Sequence, residues 1–207
     1  MHYVAHLSKD KKLKKIINTT EPHKLVKRKN ICTYLCASIM SQQLSTKVAR
    51  VIHQRFLDLY GGKEPTPQQI VDTPFEKLRA IGLSNAKVNY VKNVAQFEIE
   101  QGMDHKRLNK MSNEEVIAYL TAIKGVGRWT VEMLLMFALG REDVFAIDDL
   151  GIQNAMTRLY KLNHPDKKII KEKMLAISEK WSPYRTYACL HLWKWKDNTP
   201  VVKKKSG

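Results

Sequence analysis

The residues best suited to chemistry lie within one stretch, LTAIKGVGRWTVEMLLMFALGREDVFAIDDLG (120–151). Two glycines one residue apart, Gly125 and Gly127, stand between Lys124 and Arg128. Glycine permits backbone angles closed to other residues and lets a partner approach the chain closely. A helix opening behind them at Arg128 would aim its first amides and its partial positive charge outward, which suits a phosphate. Such a contact positions nucleic acid without reading its bases. An ordinary glycine turn between helices fits the same residues. After the apolar, strand-like run VFAI (144–147) come two adjacent carboxylates, Asp148 and Asp149. An Asp before a helix is often only its cap. Two together suggest a division of labour, one capping and one facing a substrate.

Two further sets of residues could serve the same chemistry. Trp129 follows Arg128 directly, and Trp181, Trp193 and Trp195 lie towards the C-terminus. Each suits either a packed core or a wall on which an extruded base stacks. The polar segment SQQLS (41–45) interrupts two apolar helices. It is either a capped joint or a finger that enters a duplex and fills a vacated gap. No phosphate-binding P-loop and no Ser/His/Asp or Cys/His set is present. His2 and His6 have metal-ligand spacing but no further ligands, and all seven His read as structural or surface groups. Cys32, Cys36 and Cys189 make an odd count without framework spacing, which points to a reducing compartment. They also argue against an iron–sulfur cluster or structural zinc, and Cys32 and Cys36, four apart on an apolar face, read as core.

Helices must position these groups. The chain has 207 residues, 43% of them hydrophobic, enough for a packed interior. Gly and Pro are scarce and β-branched alternation is weak, so the expected class is all-α, with about nine or ten helices joined by short turns. The formal net charge of +16 makes nucleic acid the first candidate partner. No run is apolar enough for a membrane span or signal peptide. Lys-rich residues 1–30 include a short amphipathic helix around Leu13, Ile16 and Ile17. Helices are expected over 31–40 and 46–60, the second capped by Ser45. Residues 65–67 read as loop; Thr73 caps a short helix opened by Pro74, and a longer helix starts at Ser84. One helix fills 105–123, with Ser112 and Glu115 as a capping box. Beyond Asp149 come helices to about 162, over 167–181 and over 184–195, then a basic tail (201–207).

With these residues in place, the chain resembles a known family. Residues 120–149 look like the helix-hairpin-helix plus Gly/Pro-Asp (HhH-GPD) signature of base-excision DNA glycosylases. QQLS (42–45), LRAIGLSNAKVNYVKNVA (78–95) and KWSPYRTYACLHLW (180–193) resemble the 3-methyladenine DNA glycosylase II branch. The likeness runs over roughly 31–195, and Ile147 stands where the signature often has Pro. The resemblance implies a two-lobed all-helical fold in its compact form, without the N-terminal mixed domain of some members. One lobe would span about 31–141, the other 1–30 with 142–200, with Asp149 in the cleft between them. It implies Asp149 as the catalytic carboxylate, Asp148 as the capping or helper residue, and Trp129 and Trp193 as base-pocket walls. Gln43 falls where the intercalating wedge sits, two residues before Ser45. Lys124, Gly125, Gly127, Arg128 and Thr130 fall on the phosphate-binding hairpin. Bifunctional relatives carry a lysine nucleophile where this chain has Trp129, and often an iron–sulfur cluster. The implied enzyme is therefore a monofunctional hydrolase of N-glycosyl bonds in alkylated purines, without lyase activity. It would use no cofactor, with room for a monovalent cation at the hairpin carbonyls. Its partner would be double-stranded DNA with damaged bases. It would act as a monomer, in a bacterial cytoplasm on the nucleoid or in a eukaryotic nucleus. A glycosylase for deaminated or oxidised bases, and a non-catalytic helix-hairpin-helix DNA-binding protein, stay open as alternatives.

Overall fold

The computed structural model describes residues 2–198; the basic tail at 201–207 lies outside them. In chain order the helices are α1 (His2–Leu7), α2 (Lys11–Ile17), α3 (Ile31–Ser41), α4 (Thr46–Asp58), α5 (Pro67–Asp72), α6 (Phe75–Ala80) and α7 (Asn85–Glu100). Then come α8 (His105–Leu108), α9 (Asn113–Thr121), α10 (Arg128–Phe137), α11 (Leu150–Tyr160), α12 (Lys167–Glu179) and α13 (Arg185–Asn198). The described residues contain helices and no strand, so the class is all-α.

Local details depart from the sequence reading, each for a physical reason. VFAI forms no strand. The Thr186 hydroxyl of α13 accepts from the Val144 amide at 3.0 Å and donates to the Arg141 carbonyl at 2.7 Å, taking the backbone partners a sheet would supply. A short helix begins at Pro67, at the end of the stretch read as loop, because Thr66 and Gln69 close a reciprocal capping box with Pro67 at the first helical position. Thr73 then ends α5, and α6 starts after Pro74 with no side-chain cap. The single helix expected over 105–123 is two, since Asp104 caps α8 and the Ser112–Glu115 box starts α9 afresh.

The described residues divide into two compact units, 26–140 and the pair 2–25 with 141–198. In the first, α7 packs against α3, α5 and α6, and α3 also packs against α4 and α10. The reason is spacing: Val88, Val91, Val94 and Ala95 recur on one face of α7 and are fully buried, opposite Leu35, Cys36 and Ile39 of α3. Each of the Val, Leu and Ile side chains among them contributes about 1.5–3 kcal/mol through burial. In the second unit α13 packs against α2 and α11. Leu13, Ile16 and Ile17 form the buried stripe of α2, and the Tyr3 ring stacks on Tyr187 at 3.9 Å. Trp181 is wholly buried and its indole donates to Asp10, so it is core and not a stacking surface. All three cysteines are buried free thiols. Among the described residues, no helix is long and apolar enough to cross a membrane.

One buried polar group gives this second unit a pH dependence. His191 of α13 is fully buried. The Thr20 hydroxyl donates to the Ile16 carbonyl and also meets His191 Nδ1, an arrangement that suits a proton on Nδ1. Nε2 has no hydrogen-bond partner, and the His23 ring stands edge-on at 4.7 Å. Burial, with His23 adding to it, pulls the His191 pKa down to about 4. The unfolded chain therefore binds this proton first. Stability from this group is complete above the ordinary pKa of 6.5 and falls as pH drops towards 4. We expect a loss on the order of 2–3 kcal/mol across that window, read as a falling urea midpoint. His191→Asn, whose amide can stand in for Nδ1–H, should remove most of that slope.

Candidate functional site

Asp149 is placed by the start of α11. Its carboxylate accepts from the Ile152 amide at 2.8 Å, so it is the N-cap of that helix. Trp193 Nε1 of α13 donates to the same oxygen, Oδ1, also at 2.8 Å. The Asp149 amide donates back to the Ala146 carbonyl at 3.1 Å, and Gln153 Nε2 donates to the Ile147 carbonyl at 2.8 Å. Upstream, Arg185 grips Asp143 through Nε at 2.6 Å and Nη2 at 2.9 Å. Burial pushes the Asp143 carboxyl up, and the Arg185 and Ser182 contacts more than offset this, leaving its pKa below the ordinary value. The loop that carries Asp149 is thus fixed at both ends against α13. The result is a half-buried carboxylate at the positive end of an eleven-residue helix, against an indole edge.

This overturns the expected division between the two acids. Asp149, not Asp148, does the capping, because its side chain stands where it can reach the free Ile152 amide in the first turn of α11. Asp148 is exposed and pairs with Lys171 at 2.5 Å, a surface ion pair of little energetic weight. The sequence also hid Gly151. A Cβ there would stand 2.9 Å from Asp149 Oδ1 and 3.1 Å from both Cδ1 and Nε1 of Trp193. Glycine is what lets the indole reach the carboxylate. Gly151→Ala should therefore lower the single-turnover rate about tenfold or more while costing under about 2 kcal/mol of stability, since helical alanine is intrinsically favoured. Thermal melting and a single-turnover assay on the same samples check both halves.

The glycine hairpin lies in the 26–140 unit. Gly125 has φ +104°, and a Cβ there would stand 2.2 Å from the Cγ of Tyr90. Asn93 Nδ2 of α7 donates to the Lys124 carbonyl at 3.2 Å, holding the turn from behind. Gly127 is the N-cap of α10 and no side chain caps that helix end. Lys124, Gly127, Arg128 and Trp129 are exposed there, Trp129 to 44%. The charge is not distributed as the sequence suggested. The Arg128 guanidinium is held by Glu114 at 2.6 and 3.0 Å and by Glu132 at 3.1 Å, so two carboxylates offset it. Lys124 and the uncapped start of α10 supply the positive character of the turn. Thr130 is buried, and its hydroxyl meets Gln42 Nε2 at a long 3.5 Å instead of an open surface.

The 41–45 segment carries a backbone signal that the sequence could not show. Gln43 has φ +60°, an uncommon angle for a residue with a side chain, and it is exposed. Ser45 caps α4 by accepting from the Val48 amide at 3.4 Å. Behind the turn, Lys87 Nζ donates to the carbonyls of Met40 and Gln42. Trp195, at the other end of the chain, lies under the Arg158 guanidinium at 5.0 Å. No group of three or more His, Cys, Asp or Glu able to hold a metal ion occurs among the described residues. The structure thus joins Asp149, Gly151 and Trp193 in one unit, and the hairpin, Trp129 and the 41–45 turn in the other.

Comparisons with known proteins give this geometry a family. Residues 36–180 match the model of the HhH-GPD superfamily base excision DNA repair protein. DNA-3-methyladenine glycosylase 1 of Schizosaccharomyces pombe is 40% identical over 186 residues, covering 89% of this chain and 80% of that protein. Among solved structures, S. pombe 3-methyladenine DNA glycosylase (Mag1) in complex with abasic DNA superposes with a TM-score of 0.80 at 38% identity, covering 95% of this chain and 97% of that one. DNA-3-methyladenine glycosidase from Bacillus halodurans gives a TM-score of 0.82 at 35% identity, covering 93% and 88%. With a family model matched over 36–180 and a relative 40% identical across 89% of this chain, the chain belongs to the HhH-GPD superfamily of base-excision DNA repair proteins.

Proposed function

We propose that this chain is a monofunctional DNA glycosylase that extrudes alkylated purines of the 3-methyladenine and 7-methylguanine type and hydrolyses their N-glycosidic bond, leaving an abasic site. The observation that carries this reading is the Asp149 carboxylate, held at the start of α11 by the Ile152 amide and the Trp193 indole. The names of the relatives, one of them captured with abasic DNA, support the same substrate class.

The chemistry follows from charge. An N-alkylated purine of this kind is already cationic, so it leaves with little help from an acid and the step asks for no cofactor. The sugar left behind gains oxocarbenium character, which a fixed carboxylate stabilises. Asp149 can also orient or deprotonate the attacking water. The indoles of Trp129 and Trp193 favour a cationic ring over a neutral one by about 0.5–2 kcal/mol. In this reading Gln43 fills the gap left by the extruded base. Ser45, Lys124, Gly125, Gly127, Arg128 and Thr130 belong to the DNA-facing turns, Arg128 and Thr130 chiefly by shaping them. Asp148 acts only through its neighbour. Trp129 occupies the place of a lyase lysine, so no Schiff base forms. The protein would act as a monomer on duplex DNA, in the nucleoid or the nucleus.

A panel of duplexes carrying alkylated, deaminated or oxidised bases tests the reading. Alkylated purines should be released, uracil and oxidised purines should not, and borohydride should trap no covalent adduct. Trapping of an adduct, or preference for a neutral base, would contradict it.

A further inference from the structure

We propose that Lys87 is a positioning residue for the duplex-entering turn, and that one face of α7 sets that turn in register with the phosphate-binding hairpin. The proposal rests on the reading of Gln43 as the residue that fills the gap.

The geometry runs from the turn inwards. Residue Ser41 ends α3, and the carbonyls around such an end carry its partial negative charge. Lys87 Nζ donates to two of them, Met40 O at 2.9 Å and Gln42 O at 2.6 Å. It thereby bridges the last turn of the helix to the residue just before Gln43. Gln43 itself has φ +60°, a conformation that a residue with a side chain keeps only when its surroundings hold it there. The ammonium is half-buried, and burial lowers its pKa, so the two carbonyls take the place of water around it. From the other side Gln42 Nε2 reaches Thr130, two residues past Arg128.

The same helix face holds the hairpin. Lys87, Tyr90 and Asn93 are three residues apart and share a side of α7. The Tyr90 ring lies where a Cβ on Gly125 would go, and Asn93 Nδ2 donates to the Lys124 carbonyl. One rigid helix thus touches the two segments that would meet DNA, the hairpin gripping a phosphate and the turn entering the stack. A site built on a helix keeps geometry that two independent loops would lose. A Lys that merely caps α3 would add stability without affecting insertion, and this is what the test separates.

The experiment uses the full chain with Lys87→Met, Lys87→Gln, Gln43→Ala and the Lys87→Met/Gln43→Ala double variant. Lys87→Met keeps the stem and removes the donors; Lys87→Gln is carried in parallel because it keeps a polar head should the methionine variant fail to fold. Two readouts are taken: single-turnover release of 7-methylguanine from duplex, and fluorescence of a 2-aminopurine beside an abasic-site analogue in the bound duplex. The second reports insertion directly and does not respond to a purely structural role. Loss of a charged hydrogen bond corresponds to roughly a tenfold to hundredfold fall in excision, with the fluorescence rise abolished. Gln43→Ala should do the same, and the double variant should be no worse than Gln43→Ala alone, because both changes remove one event. If Gln43→Ala impairs both readouts but the folded Lys87 variants keep wild-type fluorescence, or if the two losses multiply, the proposal is overturned while the wedge reading stands. If Gln43→Ala changes neither readout, the wedge reading fails and takes the proposal with it.

Discussion

Asp149→Asn is expected to lower the rate of 3-methyladenine release by about a hundredfold to a thousandfold, the range found when one preorganised electrostatic group is removed. The fold should tolerate the change. The Asn carbonyl oxygen can take the place of Oδ1, where both the Ile152 amide and Trp193 Nε1 donate. Asn is also as good an N-cap as Asp, so the thermal midpoint should move little. What disappears is the negative charge that, in the proposed mechanism, stabilises the forming oxocarbenium ion and serves the attacking water. Asp149→Ala is a poorer test, because it uncaps α11 and removes the acceptor for Trp193 at the same time. Duplex affinity measured beside the rate separates the two roles: loss of activity with unchanged binding is the expected pattern. Unchanged release by Asp149→Asn would remove Asp149 from the mechanism.

Gly125→Ala should do its damage in the other unit and at the binding step. Two independent obstacles meet at this residue. Its φ of +104° strains any residue with a side chain, and its Cβ would stand 2.2 Å from the Cγ and 2.6 Å from the Cβ of Tyr90. Those atoms are the root of the side chain on α7, so the ring cannot simply swing aside. The cost should be roughly 2–5 kcal/mol of stability, or an equivalent displacement of the hairpin. Duplex affinity should fall at least about tenfold, while its dependence on salt changes little, because no phosphate-neutralising charge is removed. A Gly125→Ala/Tyr90→Ala pair should recover only part of the loss, since it relieves the clash and not the backbone strain. Calorimetric melting and a binding series over salt concentration check both. Wild-type affinity in Gly125→Ala would mean that the hairpin is only a connector.

The parts of this architecture written locally were legible from the residues. Helix starts with their own cap, such as Ser45, Ser84 and Ser112, stand where their side chains can reach the amide three residues on. The glycine pattern 125–127 marked the hairpin because strained backbone leaves a compositional trace. What escaped were choices made by distant partners. Glu114, fourteen residues before Arg128, takes much of its charge. The run at 144–147 reads as strand by its apolar composition, yet its Val144 amide is taken by the Thr186 hydroxyl of α13 and its Ile147 carbonyl by Gln153. Gly151 looks like a mere weak point in a helix until Trp193 is brought against it. The two aspartates show the limit most clearly. Their adjacency suggested two roles, but the first turn of α11 gives the cap to Asp149, and Lys171 takes Asp148.

The most direct measurement is chromatographic: purified chain, methylated duplex DNA, and the released bases and the strand followed together. The account predicts free 3-methyladenine and 7-methylguanine, strands that stay intact until alkali opens the abasic sites, and release slowed at least about a hundredfold in Asp149→Asn under the same conditions. Duplex binding without base release, or release accompanied by strand cleavage before alkali, would contradict it.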